Sequence, residues 1–296
     1  MQKVLIILGQ TASGKSALGV RLAKKFKGEV ISADSRQVYK GLNVGTGKIT
    51  KLEMKGILHH LLDVADAKKY FSVSEYKALA EEALQKILKK NKLPIVVGGT
   101  GFYIDALTGV VALPEVAPNK LLRKKLEKYS AEKLFTMLEK KDARRAKHID
   151  PQNKVRIIRA LEIVEALGKV PLLRQGSAGQ AAYNFIFVGL KPDKQDLEKK
   201  IHARILARLD GMIREAKKLH KEGLLYKRMH DLGLEYRSLS RLLQKQIDKD
   251  EFVQELFRAI VKYSKRQETW FKRNKKIRWF KPDATKEIEK YLTSKL

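Results

Sequence analysis

Val4-Leu-Ile-Ile-Leu-Gly-Gln-Thr-Ala-Ser-Gly-Lys-Ser16 carries an apolar run straight into a glycine-bearing turn. A short, continuous, β-rich run such as Val4–Leu8 is what a strand covered on both faces requires, as in a parallel sheet. The turn fits Gly-x-x-x-x-Gly-Lys-Ser, and it lies between that strand and an amphipathic helix expected from about Ser16 to Phe26. Gly9 and Gly14 allow the backbone to curl, so that successive N–H groups through Thr11, Ala12 and Ser13 face phosphate oxygens. The helix N-terminus adds partial positive charge and Lys15 a full one. The Ser16 hydroxyl is placed to ligate a magnesium ion shared with the phosphates. The segment reads as a di- or triphosphate site.

Outward from the loop the same alternation continues. Glu29-Val-Ile-Ser-Ala33 predicts a second strand ending at Asp34, and Ser74 to Lys90 predicts a helix. Tyr76, Leu79, Ala80, Ala83, Leu84, Ile87 and Leu88 fall on one stripe of that helix. Pro94-Ile-Val-Val-Gly-Gly predicts a third strand. Strand and helix in turn point to an α/β domain with a parallel sheet, a P-loop NTPase-like core. The texture changes near Leu113-Pro-Glu-Val-Ala-Pro118. From 118 to 176 the pattern is helical, with 16 Lys/Arg against 7 Asp/Glu. Tyr183–Leu190 then reads as a return to the sheet. We therefore expect a core of residues 1–114 and 182–296, with a basic all-helical subdomain inserted at 115–181. The rest, roughly 194–273, reads as a helical C-terminal part closing in a basic, Trp-bearing stretch.

Composition narrows the function. The 296 residues hold 63 Lys+Arg against 33 Asp+Glu, a net charge of +30, and 44% are apolar. That apolar content is enough for a packed core and excludes an extended disordered chain. So large a cationic surplus attracts polyanions, of which nucleic acid is the commonest. Cysteine is absent, which excludes disulfides, thiol nucleophiles and Cys-based metal centres. No apolar run nears the ~18 residues that cross a bilayer, so no membrane association is expected. Met1-Gln-Lys leads at once into the first strand, so neither signal nor transit peptide is expected, and the cytoplasm is the expected compartment.

A phosphate loop does not say what lies beyond the phosphates. Hydrolases and kinases with such loops commonly put a magnesium-organising Asp at the end of an apolar strand. Here Pro94–Val97 runs instead into Gly98-Gly-Thr100. Asp34 and Thr100 both end strands, where ligands of open α/β sheets collect. The plainer alternative is that Asp34 caps a turn and Thr100 is a turn residue.

Several further stretches share an order and spacing. They are Ser32-Ala-Asp-Ser-Arg-Gln-Val-Tyr39, Asn43-Val-Gly-Thr-Gly-Lys48, His59-His-Leu-Leu-Asp63 and Phe71-Ser-Val-Ser-Glu-Tyr76. Pro94 to Tyr103, Arg156-x-x-Arg159-Ala-Leu-Glu162 and Lys265-Arg-Gln-x-Thr-Trp-Phe271 complete them. With the phosphate loop they resemble the tRNA dimethylallyltransferase family, the bacterial tRNA isopentenyl transferases, from about residue 4 to residue 280. The resemblance implies that the loop holds the pyrophosphate of dimethylallyl diphosphate. It implies transfer of the prenyl group to the exocyclic N6 of adenosine 37 in the anticodon stem-loop of tRNA. Asp34 would be the general base, with Thr100 on the bridging oxygen and Lys15 and Mg2+ on the leaving pyrophosphate. Asp34, Ser35, Gln37 and Thr100 would meet the tRNA. So would Arg123, Arg156 and Arg159 of the inserted segment, and Lys265, Arg266 and Gln267 near the C-terminus. Lys272, Arg273, Lys275, Lys276 and Arg278, around Trp270 and Trp279, would extend that last surface. A monomer is expected.

Some positions depart from the family pattern. Gly47 stands where Ala is usual, Ile49 where Pro is usual, and Leu58 where Pro precedes the histidines. Asp150-Pro-Gln-Asn153 replaces His-Pro-Asn-Asp, and Gly233-Leu-Glu-Tyr-Arg237 stands where Gly-Tyr-Lys-Glu is common. Ile260-Val261 replaces a Thr-Arg pair. No role is carried to these positions. Adjacent His59 and His60 read as structural, because neighbouring histidines rarely converge on one ion. A small-molecule kinase would explain the loop but not the basic insertion or Asp34-Ser-x-Gln37. An RNA-dependent NTPase would lack its strand-end Asp. A prenyltransferase for free AMP or ADP would have no use for the basic segment.

Overall fold

The structure is a computed structural model describing residues 1–171 and 183–296. The expected subdomain boundary at 181 and the expected helical reading of 172–176 lie outside the described residues. The described residues of Met1–Gly109 and Ser177–Leu296 form one compact unit, and those of Val110–Gly176 form a second.

The first unit is built on a parallel sheet of six strands among its described residues. These are β1 (Gln2–Gly9), β2 (Gly28–Ala33), β3 (His59–His60), β4 (Leu93–Gly98), β5 (Tyr183–Leu190) and β6 (Arg278–Phe280), in the order β3-β2-β4-β1-β5-β6. Its centre explains the uninterrupted apolar run of β1. Val4, Ile6 and Leu8 join one core with Tyr76 and Leu84 of the Val73–Lys89 helix. Leu5 and Ile7 join the opposite core with Leu18 and Leu22 of the Lys15–Lys25 helix and Ile288 and Leu292 of the Thr285–Thr293 helix. With both faces covered there is no place for polar alternation, and each such side chain contributes about 1.5–3 kcal/mol of burial. Register then sets the level of the loops. Leu8 of β1 and Ala33 of β2 both lie opposite Gly98 of β4. Gly9, Asp34 and Gly99 therefore emerge together at the carboxyl edge.

β3 and β6 are two and three residues long, too short to announce themselves by periodicity. In β6 the half-buried Trp279 packs against the core, while Arg278 before it is exposed. A Cβ on Gly189 of β5 would run into the Trp279 ring, so the glycine makes the hollow that the indole fills. β3 sets His60 Nε2 2.8 Å from Glu29 Oε2, beside Lys92 Nζ at 2.8 Å. Burial opposes charge on Glu29, but hydrogen bonds from Lys92, His60 and Lys90 outweigh it and bring the pKa to about 2. His59 Nδ1 lies 2.9 Å from the Ile57 carbonyl, so both histidines serve the fold.

The second unit is helical throughout its regular structure: Lys120–Leu126, Ala131–Lys141, Ala143–Ala146 and Lys154–Leu167. Asn119, Ser130, Asp142 and Asn153 cap these helices, each side chain accepting a first-turn N–H. Such caps are worth about 1 kcal/mol apiece. Leu134, Leu138, Ile157, Leu161 and Val164 give the unit a core of its own.

Candidate active site

The phosphate loop follows β1 in the conformation its glycines permit. Gly14 has φ +89° and nothing near its missing Cβ, so its requirement is the left-handed backbone alone. Lys15 starts the helix, and its Nζ turns back onto the Gln10 carbonyl and lies 3.4 Å from Ser13 Oγ. Burial brings the Lys15 ammonium down to about 7, against the attraction of Asp34, with Arg204 adding repulsion. An anion in the loop would reverse that balance.

The loop is held from behind by the Lys249–Phe271 helix. Gln10 Nε2 donates to Ser264 Oγ at 2.9 Å. Gln267 accepts the Thr11 N–H at 2.8 Å and donates to the Gly99 carbonyl at 2.9 Å. Gln267, expected at the tRNA, faces inward in this structure. The side chain is buried with both ends of its amide occupied, because it sits on the inward face of a helix whose Lys265 and Arg266 are exposed.

Asp34 and Thr100 meet at the edge as the register demands. Asp34 Oδ1 accepts the Arg36 N–H at 2.8 Å and the Gln37 N–H at 3.3 Å. The plainer reading, a turn cap, is thus correct and leaves Oδ2 without a partner among the described residues. Thr100 Oγ1 accepts the Ser35 N–H at 3.0 Å, which ties the end of β4 to the end of β2. Tyr263 stands beside them, its phenol pushed up to about 12 by burial and then by the Asp34 charge.

Asp34, Gln37, Tyr263 and loop residues Thr11 to Ser16 line one cavity of about 990 Å³. Arg204 and Arg208 of the Lys194–Lys221 helix line it too. Sequence reading missed these two arginines. They stand i, i+4 on one helical face, a legible spacing, but nothing local says that the face turns toward the phosphate loop. Burial lowers the pKa of Arg208 to about 10, with Arg204 adding to the effect. Glu235 was missed as well; burial pushes it up to about 7, with Asp34 adding repulsion while Arg204 opposes the shift.

Magnesium was expected at Ser16. No group of three His, Asp or Glu side chains gathers among the described residues to hold an ion outright. The exposed Ser16 hydroxyl lies in the first turn of the helix at the cavity wall. One hydroxyl, with the remaining ligands from a diphosphate and water, is a donor set that suits Mg2+.

In the second unit, Arg123 and Arg159 are internally engaged. Arg123 donates Nε and Nη2 to the fully buried Glu162 carboxylate at 2.8 and 2.7 Å. Arg159 reaches the Val116 carbonyl at 2.7 Å and Glu162 at 3.4 Å. Arg156, three residues earlier, is exposed with no side-chain partner among the described residues. No described helix is long and apolar enough to cross a membrane.

A phosphate loop and a strand-end carboxylate around one cavity, with a strand-end threonine tied to the carboxylate's turn, make this a phosphate-loop α/β enzyme without the strand-end Asp of the NTPases. The family model described as IPP transferase matches residues 37–274. The tRNA dimethylallyltransferase of Anoxybacillus flavithermus is 37% identical over 283 residues, covering 94% of this chain and 90% of the relative. The tRNA isopentenylpyrophosphate transferase of Bacillus halodurans superposes with a TM-score of 0.75 at 34% identity, covering 100% of this chain and 97% of that one. A eukaryotic dimethylallyltransferase solved acting on tRNA reaches a TM-score of 0.78 at 24% identity, over 95% of this chain and 74% of that one, a likeness of fold. The chain belongs to the tRNA dimethylallyltransferase family and is a transferase.

Proposed function

We propose that this chain transfers the dimethylallyl group of dimethylallyl diphosphate to N6 of adenosine 37 in the anticodon stem-loop of tRNA, releasing pyrophosphate. One observation carries the reading: the partnerless Oδ2 of Asp34 shares a cavity with the phosphate loop, so a base and a leaving-group site face each other. The adenine amine is a poor nucleophile, since its lone pair is delocalised into the ring. Asp34 Oδ2 accepts its proton as the C–N bond forms, while Oδ1 stays on the turn and fixes the carboxylate's direction. The departing pyrophosphate gathers negative charge, which Lys15, the loop N–H groups and Thr100 stabilise. Mg2+, held by Ser16 and the diphosphate, would neutralise part of the same charge when bound.

The target base must leave its stack to reach a carboxylate at the sheet edge. Ser35 and Gln37 flank that point. Arg156, Lys265 and Arg266 are exposed, as are Lys272, Arg273, Lys275, Lys276 and Arg278, and they support a tRNA substrate over free AMP. The test is incubation with radiolabelled dimethylallyl diphosphate, magnesium and unmodified tRNA or AMP. Label on an adenosine beside the anticodon supports the proposal. Label on AMP alone overturns the tRNA substrate, and ATP hydrolysis without prenyl transfer overturns the reaction.

A further inference from the structure

Three successive N–H groups of one loop, those of Asn43, Val44 and Gly45, donate to a single carboxylate, Glu215, at 2.9, 2.7 and 2.9 Å. Tyr236 donates its hydroxyl to the same group at 2.6 Å, so the carboxylate accepts four hydrogen bonds. Bonds to an ionised acceptor are shorter and roughly twice as strong as neutral ones. Successive backbone N–H groups of this kind make a concavity that holds an anion, and here the chain fills it with a side chain of its own.

Glu215 reaches the loop from the Lys194–Lys221 helix, and that helix is shaped for the approach. Gly211 stands one turn before Glu215 on the same face, and a Cβ there would lie 3.0 Å from Val44 Cγ1. Glycine in mid-helix weakens a helix, and the close approach of the loop accounts for it here. On the loop side, a Cβ on Gly45 would collide with the Tyr236 ring. The far end of the loop is pinned separately: buried Lys48 donates to the Tyr39 carbonyl at 2.8 Å and to Asp63 Oδ1 at 2.6 Å. Between the two pins stand Thr46 and Gly47, which line the cavity that holds the phosphate loop and Asp34.

We propose that Glu215 is a positioning residue for the transfer reaction. It stands outside the cavity lining and, by holding the N–H groups of residues 43–45, fixes the wall that Thr46 and Gly47 give the donor site. The inference rests on the reading of that cavity as the site of the diphosphate donor. A loop released from Glu215 would turn its three N–H groups to water and open locally. Each donor molecule would then have to order the wall again, and that ordering weakens binding. The chemical step keeps its groups, since Asp34 and the phosphate loop are held by other contacts.

The test measures kcat and the KM for dimethylallyl diphosphate in tRNA prenylation, with amide hydrogen exchange and urea unfolding alongside. The proteins are the native chain, Glu215→Ala, Glu215→Gln and Tyr236→Phe. Glu215→Ala should raise the donor KM about tenfold with kcat held within about twofold, while the amides of residues 43–45 exchange faster. Glu215→Gln keeps one acceptor oxygen for the loop, so its KM should fall between the two. Tyr236→Phe keeps the ring and all three loop bonds, so its donor KM should stay native even where stability drops. A donor KM that follows stability across all three variants, Tyr236→Phe included, overturns the proposal. So does a native KM in Glu215→Ala when the amides of 43–45 exchange freely. If Glu215→Ala does not fold, Glu215→Gln decides by the same readings. A native chain that transfers no prenyl group overturns the donor-site reading and this proposal together, whereas an active native chain with unchanged variant KM overturns this proposal alone.

Discussion

Gln267 Nε2 donates to the Gly99 carbonyl at 2.9 Å, joining the Lys249–Phe271 helix to the loop that follows β4. Its Oε1 takes the Thr11 N–H at 2.8 Å, so one amide braces two loops of the site. Gln267→Leu keeps the bulk but leaves a buried N–H and a buried carbonyl unpaired. It should lower stability by about 2–4 kcal/mol in urea unfolding and weaken pyrophosphate binding. The salt dependence of tRNA binding should not move, because the substitution removes no charge. Weaker tRNA binding with native stability and native pyrophosphate binding would return Gln267 to the RNA surface.

Asp34 combines two tasks that substitution can separate. Asp34→Asn keeps an acceptor for the Arg36 and Gln37 N–H groups but cannot take a proton. Single-turnover transfer should fall about 10²–10⁴-fold while stability and tRNA affinity stay near native. Asp34→Ala should lose transfer to at least the same degree and also lose stability, by about 1 kcal/mol, as the turn cap goes. Near-native turnover in Asp34→Asn would show that Asp34 is a cap and nothing more.

The sheet was legible because β1, β2, β4 and β5 are buried strands whose β-rich runs have no other reading. The phosphate loop was legible because its backbone needs glycines at fixed places. The internal partners of Gln267 and Arg123 were illegible for a common reason. A polar side chain in a basic, helical stretch reads as surface, and only the three-dimensional partner shows otherwise: Gly99 and Thr11 for one, the buried Glu162 for the other. Arg204 and Arg208 were missed because the phosphate loop and Asp34 that they face across the cavity lie more than 150 positions away in sequence. No periodicity reports a contact of that kind.

Arg156 and Arg123 should behave differently on substitution. Arg156→Gln removes an exposed charge with no internal partner, so tRNA binding should weaken and its log–log salt slope should shrink by about 1. Stability should hold within about 0.5 kcal/mol. Arg123→Gln removes the bidentate partner of buried Glu162 and should cost about 2–4 kcal/mol of stability. Denaturant unfolding and tRNA binding at several salt concentrations check both. A native salt slope in Arg156→Gln would turn its helix face away from the RNA.

Lys15 gives the site a pH dependence whose sign follows from its surroundings. In the free protein burial holds its pKa at about 7, so above that pH the side chain is mostly neutral. A diphosphate against the ammonium favours the charged form and raises the pKa again. Binding above pH 7 must therefore take up a proton, nearing about one per site around pH 8, and affinity must fall as pH rises. Below pH 7 the lysine is already charged and the uptake fades. Pyrophosphate titrates in this range too, so the comparison is with Lys15→Arg, whose guanidinium stays protonated throughout. Binding enthalpies measured in buffers of different ionisation heat give the proton count directly. The native chain should take up more protons than Lys15→Arg at pH 8 and the same number at pH 6. Equal counts at both would mean that Lys15 meets the ligand already charged.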